Sequence, residues 1–271
     1  MQSELRVAAL QMNARLDKQE NLARAERLVR SAAKEGAQLI VLPELFSAYG
    51  PLAEVRQQAE AIPGPTSQRL ASWAAELGIY LCGGSLAEQV PAGNKAYNTS
   101  LLFNPQGELL ASYRKQHLFD VNLGGAAPIR ESDAMLPGEE SVLVETPLGN
   151  LGIAICYDLR FPELFRELAN RGLEILLFPA AFTATTGRAH WEPLLRARAI
   201  ENQAYVIAAN QSGGHAGGMQ SYGHSCLIDP WGTLLATAGD EEEIAIFATF
   251  YGEFLAATRR QLPALANRRI R

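Results

Sequence analysis

The sequence predicts an α/β fold built as a single domain, and three observations carry that prediction. Residues 5–12 are an apolar run, residues 20–36 carry a helical stripe, and residues 38–42 are mostly apolar again. Strand, helix and strand in such close succession make a βαβ unit, the signature of sheets covered by helices. The same alternation then continues along the chain, and no Pro/Ser-rich linker or fixed-period repeat divides the 271 residues.

Each element follows from its local pattern. Leu22, Ala25, Val29, Ala32 and Ala33 recur at helical spacing, and Gly36 is a natural stop. Residues 66–77 read as a helix and 79–86 as a strand. Strands at 96–103 and 109–114 flank Asn104-Pro-Gln-Gly107, a hairpin turn. A loop-rich stretch follows from 117 to 140. Strands at 141–146 and 150–156, around Pro147-Leu-Gly149, make a second hairpin. Residues 161–171 form a helix with Pro162 in its first turn, where proline is tolerated. A strand at 174–178, a helix at 190–202 and strands at 205–210, 223–229 and 233–237 come next. The turn Asp229-Pro-Trp-Gly232 joins the last two. A strand at 244–250, a helix at 253–262 and a tail over about 263–271, ending in the basic Asn267–Arg271, complete the chain. Gly213-Gly-His-Ala-Gly-Gly218 reads as a flexible loop. It lacks the Gly-x-x-x-x-Gly-Lys-Ser/Thr pattern of a phosphate cradle and opens no helix.

Composition removes several classes of function. Lys and Arg number 24 and Asp and Glu 29, for a formal net charge of −5. That balance gives no support for nucleic acid or an anionic membrane as partner. A chain this long buries most of its apolar surface without disulfides or metals. The three cysteines, Cys82, Cys156 and Cys226, are odd in number and scattered, which fits free thiols in a reducing compartment. None lies in a C-x-x-C pair, so no structural zinc is expected. No apolar run of about 18 residues suggests a membrane span. The start, Met-Gln-Ser-Glu-Leu-Arg, lacks the basic and apolar regions of a signal peptide, so the cytoplasm is the expected location.

Three reactive side chains occupy equivalent places. Glu44 follows the strand ending at Leu42, Lys115 ends the run beginning at Leu109, and Cys156 ends the strand beginning at Asn150. Ligands of open α/β sheets bind outside the carboxyl ends of strands, so carboxylate, amine and thiol could share one crevice. A thiol with a pKa of about 8.5 is mostly protonated at neutral pH. A nearby Lys115 and the helix starting about five residues later are expected to stabilise the Cys156 thiolate. Glu44 could serve as general base, and the Lys115 ammonium, beside the Tyr157 N–H, suits a developing oxyanion. Such a set describes acyl transfer through a thioester. Taken singly, each residue has a plainer reading. A lone cysteine is more often a small buried hydrophobe, as Cys82 and Cys226 are read here. Glu44 could be a loop carboxylate or helix cap, and Lys115 a surface lysine. Spacing alone does not make the triad specific.

Four segments, however, resemble the carbon–nitrogen hydrolase, or nitrilase, superfamily. They are Leu42-Pro-Glu44, Tyr113-Arg-Lys-Gln-His-Leu-Phe-Asp120, Cys156-Tyr-Asp-Leu-Arg-Phe-Pro-Glu163 and Ala189-His-Trp-Glu-Pro-Leu-Leu-Arg-Ala-Arg-Ala-Ile-Glu-Asn-Gln203. The resemblance covers nearly the whole chain in order, so residues 1–271 are expected to be one such domain. It implies a catalytic triad of Glu44, Lys115 and Cys156, with Glu131 as a second glutamate orienting lysine and substrate. It also implies a four-layer α-β-β-α sandwich that dimerises through its helical layer, with no metal or cofactor.

Arg160 with Phe-Pro-Glu after it, Thr186-Gly-Arg-Ala-His-Trp191 and Ser221-Tyr-Gly-His-Ser225 resemble the Nit branch. Two activities compete there: deaminated glutathione amidase and ω-amidase, which acts on α-ketoglutaramate. The runs Arg196–Gln203 and Ser221–Ser225 look closer to the first. Both substrates present a 2-oxo acid end, for which Arg160 is the natural clamp. Its plainer reading is a pair with Asp158 or Glu163. Tyr49, Phe182 and Thr186 are carried over as pocket residues. His117, His190 and His224 are read as structural, because the resemblance assigns base chemistry to glutamate. The 213–218 loop is the expected border of a Cys-Gly leaving group. A true nitrilase has no use for an oxo-acid clamp, a silent binding scaffold no need for an intact triad, and a redox thiol lacks a resolving cysteine nearby in sequence.

Overall fold

Strand β1 (Glu4–Gln11) has no solvent face over most of its length, and the layering of the protein follows from that. Leu5, Val7 and Ala9 pack toward a second sheet, whereas Ala8 and Leu10 pack against helices, as the two-residue period of a strand requires. The computed structural model describes residues 1–91, 93–122, 128–240 and 243–270.

After β1 come α1 (Lys18–Lys34), β2 (Leu39–Val41), α2 (Leu52–Gln57), α3 (Pro65–Leu77), β3 (Tyr80–Cys82), β4 (Leu86–Gln89), β5 (Ala96–Phe103) and β6 (Leu109–Arg114). Short strands β7 (Asp120–Val121), β8 (Ile129–Arg130) and β9 (Met135–Leu136) surround a 3-10 turn at Glu131–Asp133. Then follow β10 (Val142–Thr146), β11 (Gly149–Ile153), a 3-10 turn at Cys156–Arg160, α4 (Pro162–Asn170), β12 (Ile175–Ala180), α5 (Ala184–Asn202) and β13 (Tyr205–Asn210). The hairpin β14 (Ser212–Gly214) and β15 (Gln220–Tyr222) precedes β16 (Cys226–Ile228), β17 (Leu234–Thr237), β18 (Ile244–Tyr251) and α6 (Gly252–Gln261).

One sheet runs β18-β1-β2-β3-β5-β4, with β6 and β9 also paired to β5. The other runs β10-β11-β12-β13-β16-β17. In each, three central strands are parallel: β1, β2 and β3 in the first, β11, β12 and β13 in the second. Leu22, Ala25 and Val29 of α1 and Leu70 and Trp73 of α3 cover the first sheet. Phe165 of α4 and Trp191 of α5 lie 6.5 and 6.0 Å from the ring of Phe178 on the second. The result is the expected four-layer α-β-β-α sandwich in one domain. Among the described residues no helix is long and apolar enough to cross a membrane.

Several local expectations are corrected. Residues 79–86 are two strands, interrupted at Gly83-Gly84. The second hairpin strand ends at Ile153, so Cys156 lies beyond the strand, in the 3-10 turn. Residues 213–218 are not a loose loop but the tip of the β14–β15 hairpin, with its own 3-10 turn. Helix α5 begins at Ala184, six residues before the expected start. Threonines and Gly187 weaken the local helical signal. Gly187 is there because β15 lies against the helix: a Cβ on it would sit 2.4 Å from the Tyr222 ring.

The carboxyl ends of the strands are sewn together. Ser212 N–H donates to Met12 O at 2.8 Å, and Glu44 N–H to Ala180 O at 3.3 Å. Deeper in, the fully buried Asp158 accepts from Tyr113 Oη of the first sheet at 2.7 Å and from Ile155 N–H at 2.9 Å. It also accepts from the His117 N–H at 3.0 Å and meets His117 Nδ1 at 2.7 Å. One carboxyl thus clasps the two sheets beside the cysteine turn. Asp158→Ala would orphan those donors, and we expect it to lower the unfolding free energy by about 3 kcal/mol. Urea denaturation reads this directly, and an unchanged transition midpoint would show that the clasp carries no stability.

Candidate active site

Glu44 stands three residues past β2, on a bend held from both sides. Gly84 crosses so closely that a Cβ there would lie 2.0 Å from Pro43 O. Leu45 adopts a φ of 50°, and its N–H donates to Ser85 Oγ at 2.9 Å. Gln211 Nε2 donates to Glu44 O at 2.9 Å. Lys115 directly follows β6, and its N–H donates to Asn98 O on β5 at 2.9 Å. Glu131 opens a 3-10 turn anchored by Asp120, which accepts from Ser132 N–H at 3.0 Å and Ser132 Oγ at 2.6 Å. Cys156 opens its own turn with a φ of 47°. A left-handed non-glycine residue costs roughly 1–3 kcal/mol and persists only where its surroundings over-determine it. Here Asp158 inside the turn and the buried Arg198, donating from Nε and Nη2 to Leu159 O at 3.1 and 2.7 Å, do so.

The side chains meet in a buried cluster. Lys115 Nζ donates to Glu44 Oε1 at 2.9 Å and to Glu131 Oε1 and Oε2 at 3.1 and 2.8 Å. Asn98 Nδ2 donates to Glu44 Oε1 at 2.8 Å and approaches Glu131 Oε1 at 3.4 Å. Backbone N–H groups complete the shell: Ala181 to Glu44 Oε2 at 2.8 Å and Phe119 to Glu131 Oε2 at 2.6 Å. Burial works against charge on Lys115, which is 2% exposed. Glu131 and Glu44 outweigh it and hold the ammonium well above its usual pKa.

The thiol departs from expectation. Burial pushes the Cys156 thiol well above the usual range, the Glu44 charge pushes it further, and Lys115 and the Ala181 N–H only partly oppose them. The helix α4 does not help, because the turn Cys156–Arg160 separates the thiol from its first residue, Pro162. Burial and the neighbouring Glu44 therefore favour the protonated thiol over the thiolate.

A cavity of about 500 Å³ opens over this cluster. All nine residues singled out from the sequence line it: Glu44, Lys115, Glu131, Cys156, Tyr157, Arg160, Tyr49, Phe182 and Thr186. Arg160 lies over the rings of Phe182 and Tyr157, at 5.3 and 5.7 Å, and its Nη1 lies 3.3 Å from His190 Nδ1. Among the described residues it pairs with neither Asp158 nor Glu163. The hydroxyl of Thr186 meets that of Thr183 at 2.8 Å. Tyr49 packs edge-on to His215 at 4.5 Å, and burial raises its phenol pKa above the usual value. Gly217, Gly218 and Met219 of the hairpin tip close one side.

His117, His190 and His224 are not among the lining residues. His117 stacks on Phe161 at 3.7 Å and His224 on Tyr222 at 4.2 Å. Cys82 and Cys226 are packed in the core, and burial pushes the Cys82 thiol up to about 11. Among the described residues no group of three His, Cys, Asp or Glu is arranged to hold a metal ion. Two important residues escaped the sequence reading. Asn98 looked like one more polar position on a strand, and Asp158 like an ion-pair partner for Arg160.

The comparisons with known proteins agree with this geometry. The carbon–nitrogen hydrolase family model matches residues 6–260. A deaminated glutathione amidase of Synechocystis is 44% identical, over 96% of this chain and 97% of its own length. An omega-amidase NIT2 of Danio rerio is 41% identical, over 98% and 95%. The crystal structure of Saccharomyces cerevisiae Nit3, a member of branch 10 of the nitrilase superfamily, superposes with a TM-score of 0.90 at 35% identity, covering 100% of this chain and 98% of that one. By sequence and by structure, the chain belongs to the carbon–nitrogen hydrolase family.

Proposed function

We propose that this protein is an amidase that cleaves the linear amide of a 2-oxo dicarboxylic acid through a thioester on Cys156, with deaminated glutathione as substrate. The observation that carries the chemistry is the contact of the Cys156 thiol with Glu44, whose Oε1 is bound to the buried Lys115 ammonium at 2.9 Å. Glu44 takes the proton from Cys156 Sγ as sulfur bonds to the amide carbon. The oxyanion develops against Lys115 Nζ and the Tyr157 N–H. The C–N bond breaks, the amine leaves with the proton from Glu44, and water, deprotonated by Glu44, hydrolyses the thioester. Glu131 holds Lys115 throughout.

Arg160 supports the 2-oxo acid end. It is a guanidinium on the cavity wall without a carboxylate partner among the described residues, and it can grip an incoming carboxylate bidentately. The cavity volume favours deaminated glutathione, since roughly 300–1,000 Å³ suits ligands of drug size and α-ketoglutaramate would leave much of the space unfilled. The second reading, ω-amidase on α-ketoglutaramate, is favoured by the named relative from Danio rerio. The two substrates share their acyl half and differ in the leaving amine, Cys-Gly or ammonia. Measured kcat/KM values for both on the purified protein decide between them. We expect at least tenfold in favour of deaminated glutathione, and the reverse order would establish the ω-amidase reading instead.

A partner copy belongs to the same proposal. Ile200 near the end of α5, Trp231 and Leu262 are 46%, 57% and 50% exposed. Gln203 Nε2 donates to Leu262 O, which ties the ends of α5 and α6 together and gathers two of these apolar groups. We expect light scattering to report a mass of two chains, and Ile200→Asp to shift it toward one. A monomer at micromolar concentration would remove the helical layer as an interface.

The base role of Glu44 has a sharp consequence. Its charge raises the Cys156 pKa and Lys115 lowers it, so Glu44→Gln removes a raising influence and increases the thiolate fraction. Turnover should fall by about 100-fold or more, while alkylation of Cys156 by iodoacetamide at pH 7 becomes faster than in the wild type. Cys156→Ala should keep the fold and lose turnover. Slower alkylation of Glu44→Gln, or substantial activity in Cys156→Ala, would sink the mechanism.

A further inference from the structure

We infer that Asn98 is a positioning residue for Glu44, a role that rests on the thioester reading above. Asn98 is fully buried on β5, where its carbonyl accepts the Lys115 N–H at 2.9 Å. Its Nδ2 donates to Glu44 Oε1 at 2.8 Å and faces Glu131 Oε1 at 3.4 Å. Lys115 Nζ bridges the same two oxygens, at 2.9 and 3.1 Å. An ammonium and an amide therefore stand side by side between two carboxylates, and the amide adds donors without adding charge.

The other end of the amide shows that donation is what this position requires. Asn98 Oδ1 has no hydrogen-bond partner among the described residues although it is buried. Turning the amide over would set that oxygen against Glu44 Oε1, so the electrostatics of the cluster fix the orientation and leave the acceptor unsatisfied. A residue serving only to fill the core would avoid that cost with an apolar side chain. Asn98 is also absent from the cavity lining, so it acts through Glu44 rather than on substrate. With Oε1 engaged by Lys115 and Asn98, the proton from Cys156 Sγ goes to Oε2, which shares the Ala181 N–H with the thiol. From there it passes to the nitrogen of the leaving amine.

The test is the pH dependence of kcat and KM for Asn98→Asp, on whichever of the two amides the wild type turns over faster. This isosteric change places three carboxylates around one ammonium. At pH 8 we expect kcat to fall by about 100-fold or more, with KM within about twofold of wild type. As the pH is lowered the new carboxyl gains a proton and can donate to Glu44 as the amide did. The kcat of Asn98→Asp should therefore recover toward pH 5.5, moving its optimum to the acid side. Asn98→Leu, which cannot donate, should lose kcat at every pH without such recovery. Wild-type kcat in Asn98→Asp, a loss by the same factor at all pH values, or a loss expressed in KM would each overturn the proposal. If Asn98→Asp proves too unstable to assay, Asn98→Ser carries the test: kcat falls at constant KM, and a wild-type kcat overturns the role. Cys156→Ala run in parallel separates the two claims. If it retains turnover the thioester reading fails; if it is dead while Asn98→Asp is normal, only the role of Asn98 fails.

Discussion

A buried ammonium held between two carboxylates is the constraint on which the site depends. Alone, Lys115 would lose its proton or its burial, because the interior penalises an unpaired charge heavily. With Glu44 and Glu131 both in hydrogen-bond contact the charge stays. Burial first, and then the Glu44 charge, push the Cys156 thiol above its usual range, with Lys115 opposing them. In the proposed reaction negative charge moves rather than accumulates. As the thiol proton moves to Glu44, negative charge leaves that carboxylate and appears on the oxyanion, and Lys115 faces both places. A preorganised cation that serves the charge before and after transfer needs little reorganisation, which is where much of enzymatic rate enhancement lies.

Holding such a cluster demands a rigid frame, and the sandwich supplies it where the parallel strands end. Glu44 and Lys115 come from the first sheet and Cys156 from the second, so the distance between the sheets sets the contact between Glu44 and Cys156. Tyr113 bonded to Asp158 and Gln211 bonded to Glu44 O fix that distance. The positive φ values of Leu45, next to Glu44, and of Cys156 are backbone strain that these clasps sustain. The same polar bonds that look structural from the core side are positional from the cavity side.

The architecture was legible because its signals are local. Apolar periodicity located β5, β6 and β13 with the boundaries observed, and turn residues located both hairpins. What escaped has physical reasons. Helix α2 is only six residues and follows Pro51, too short for a periodic pattern. The first turns of α5 contain weak helix formers because they border the cavity and the β14–β15 hairpin. Glu44, Lys115 and Cys156 stood out as reactive types at chain breaks, but only their resemblance to a known family joined them. Asn98 was invisible for the opposite reason: an asparagine on a strand carries no signature until both its neighbours are known to be carboxylates. The balance of influences on Cys156 was hidden for a related reason. Lys115 lowers its pKa as expected, but burial and Glu44, which no spacing reveals, outweigh it.

The choice between the two amide substrates turns on which part of the cavity can see their difference. Their acyl halves are the same, so under the proposed reading Arg160, Tyr157 and Phe182 meet the same group in both. Discrimination belongs to the side that receives the leaving amine. Ammonia needs no wall there. A Cys-Gly amine needs a surface that admits a peptide backbone without crowding it, and the hairpin tip that lines the cavity has that character. Gly217 and Gly218, both at positive φ, carry the hairpin tip past the cavity with no side chain between them and the space, and Met219 follows as an adaptable apolar contact. A fold that met only α-ketoglutaramate would gain from filling that space, since each unfilled volume beside a small substrate leaves water where binding energy could be had. Under the proposed reading the hairpin side receives the longer amine, and overall identity, at 41% and 44% to relatives carrying the two different names, does not decide between them.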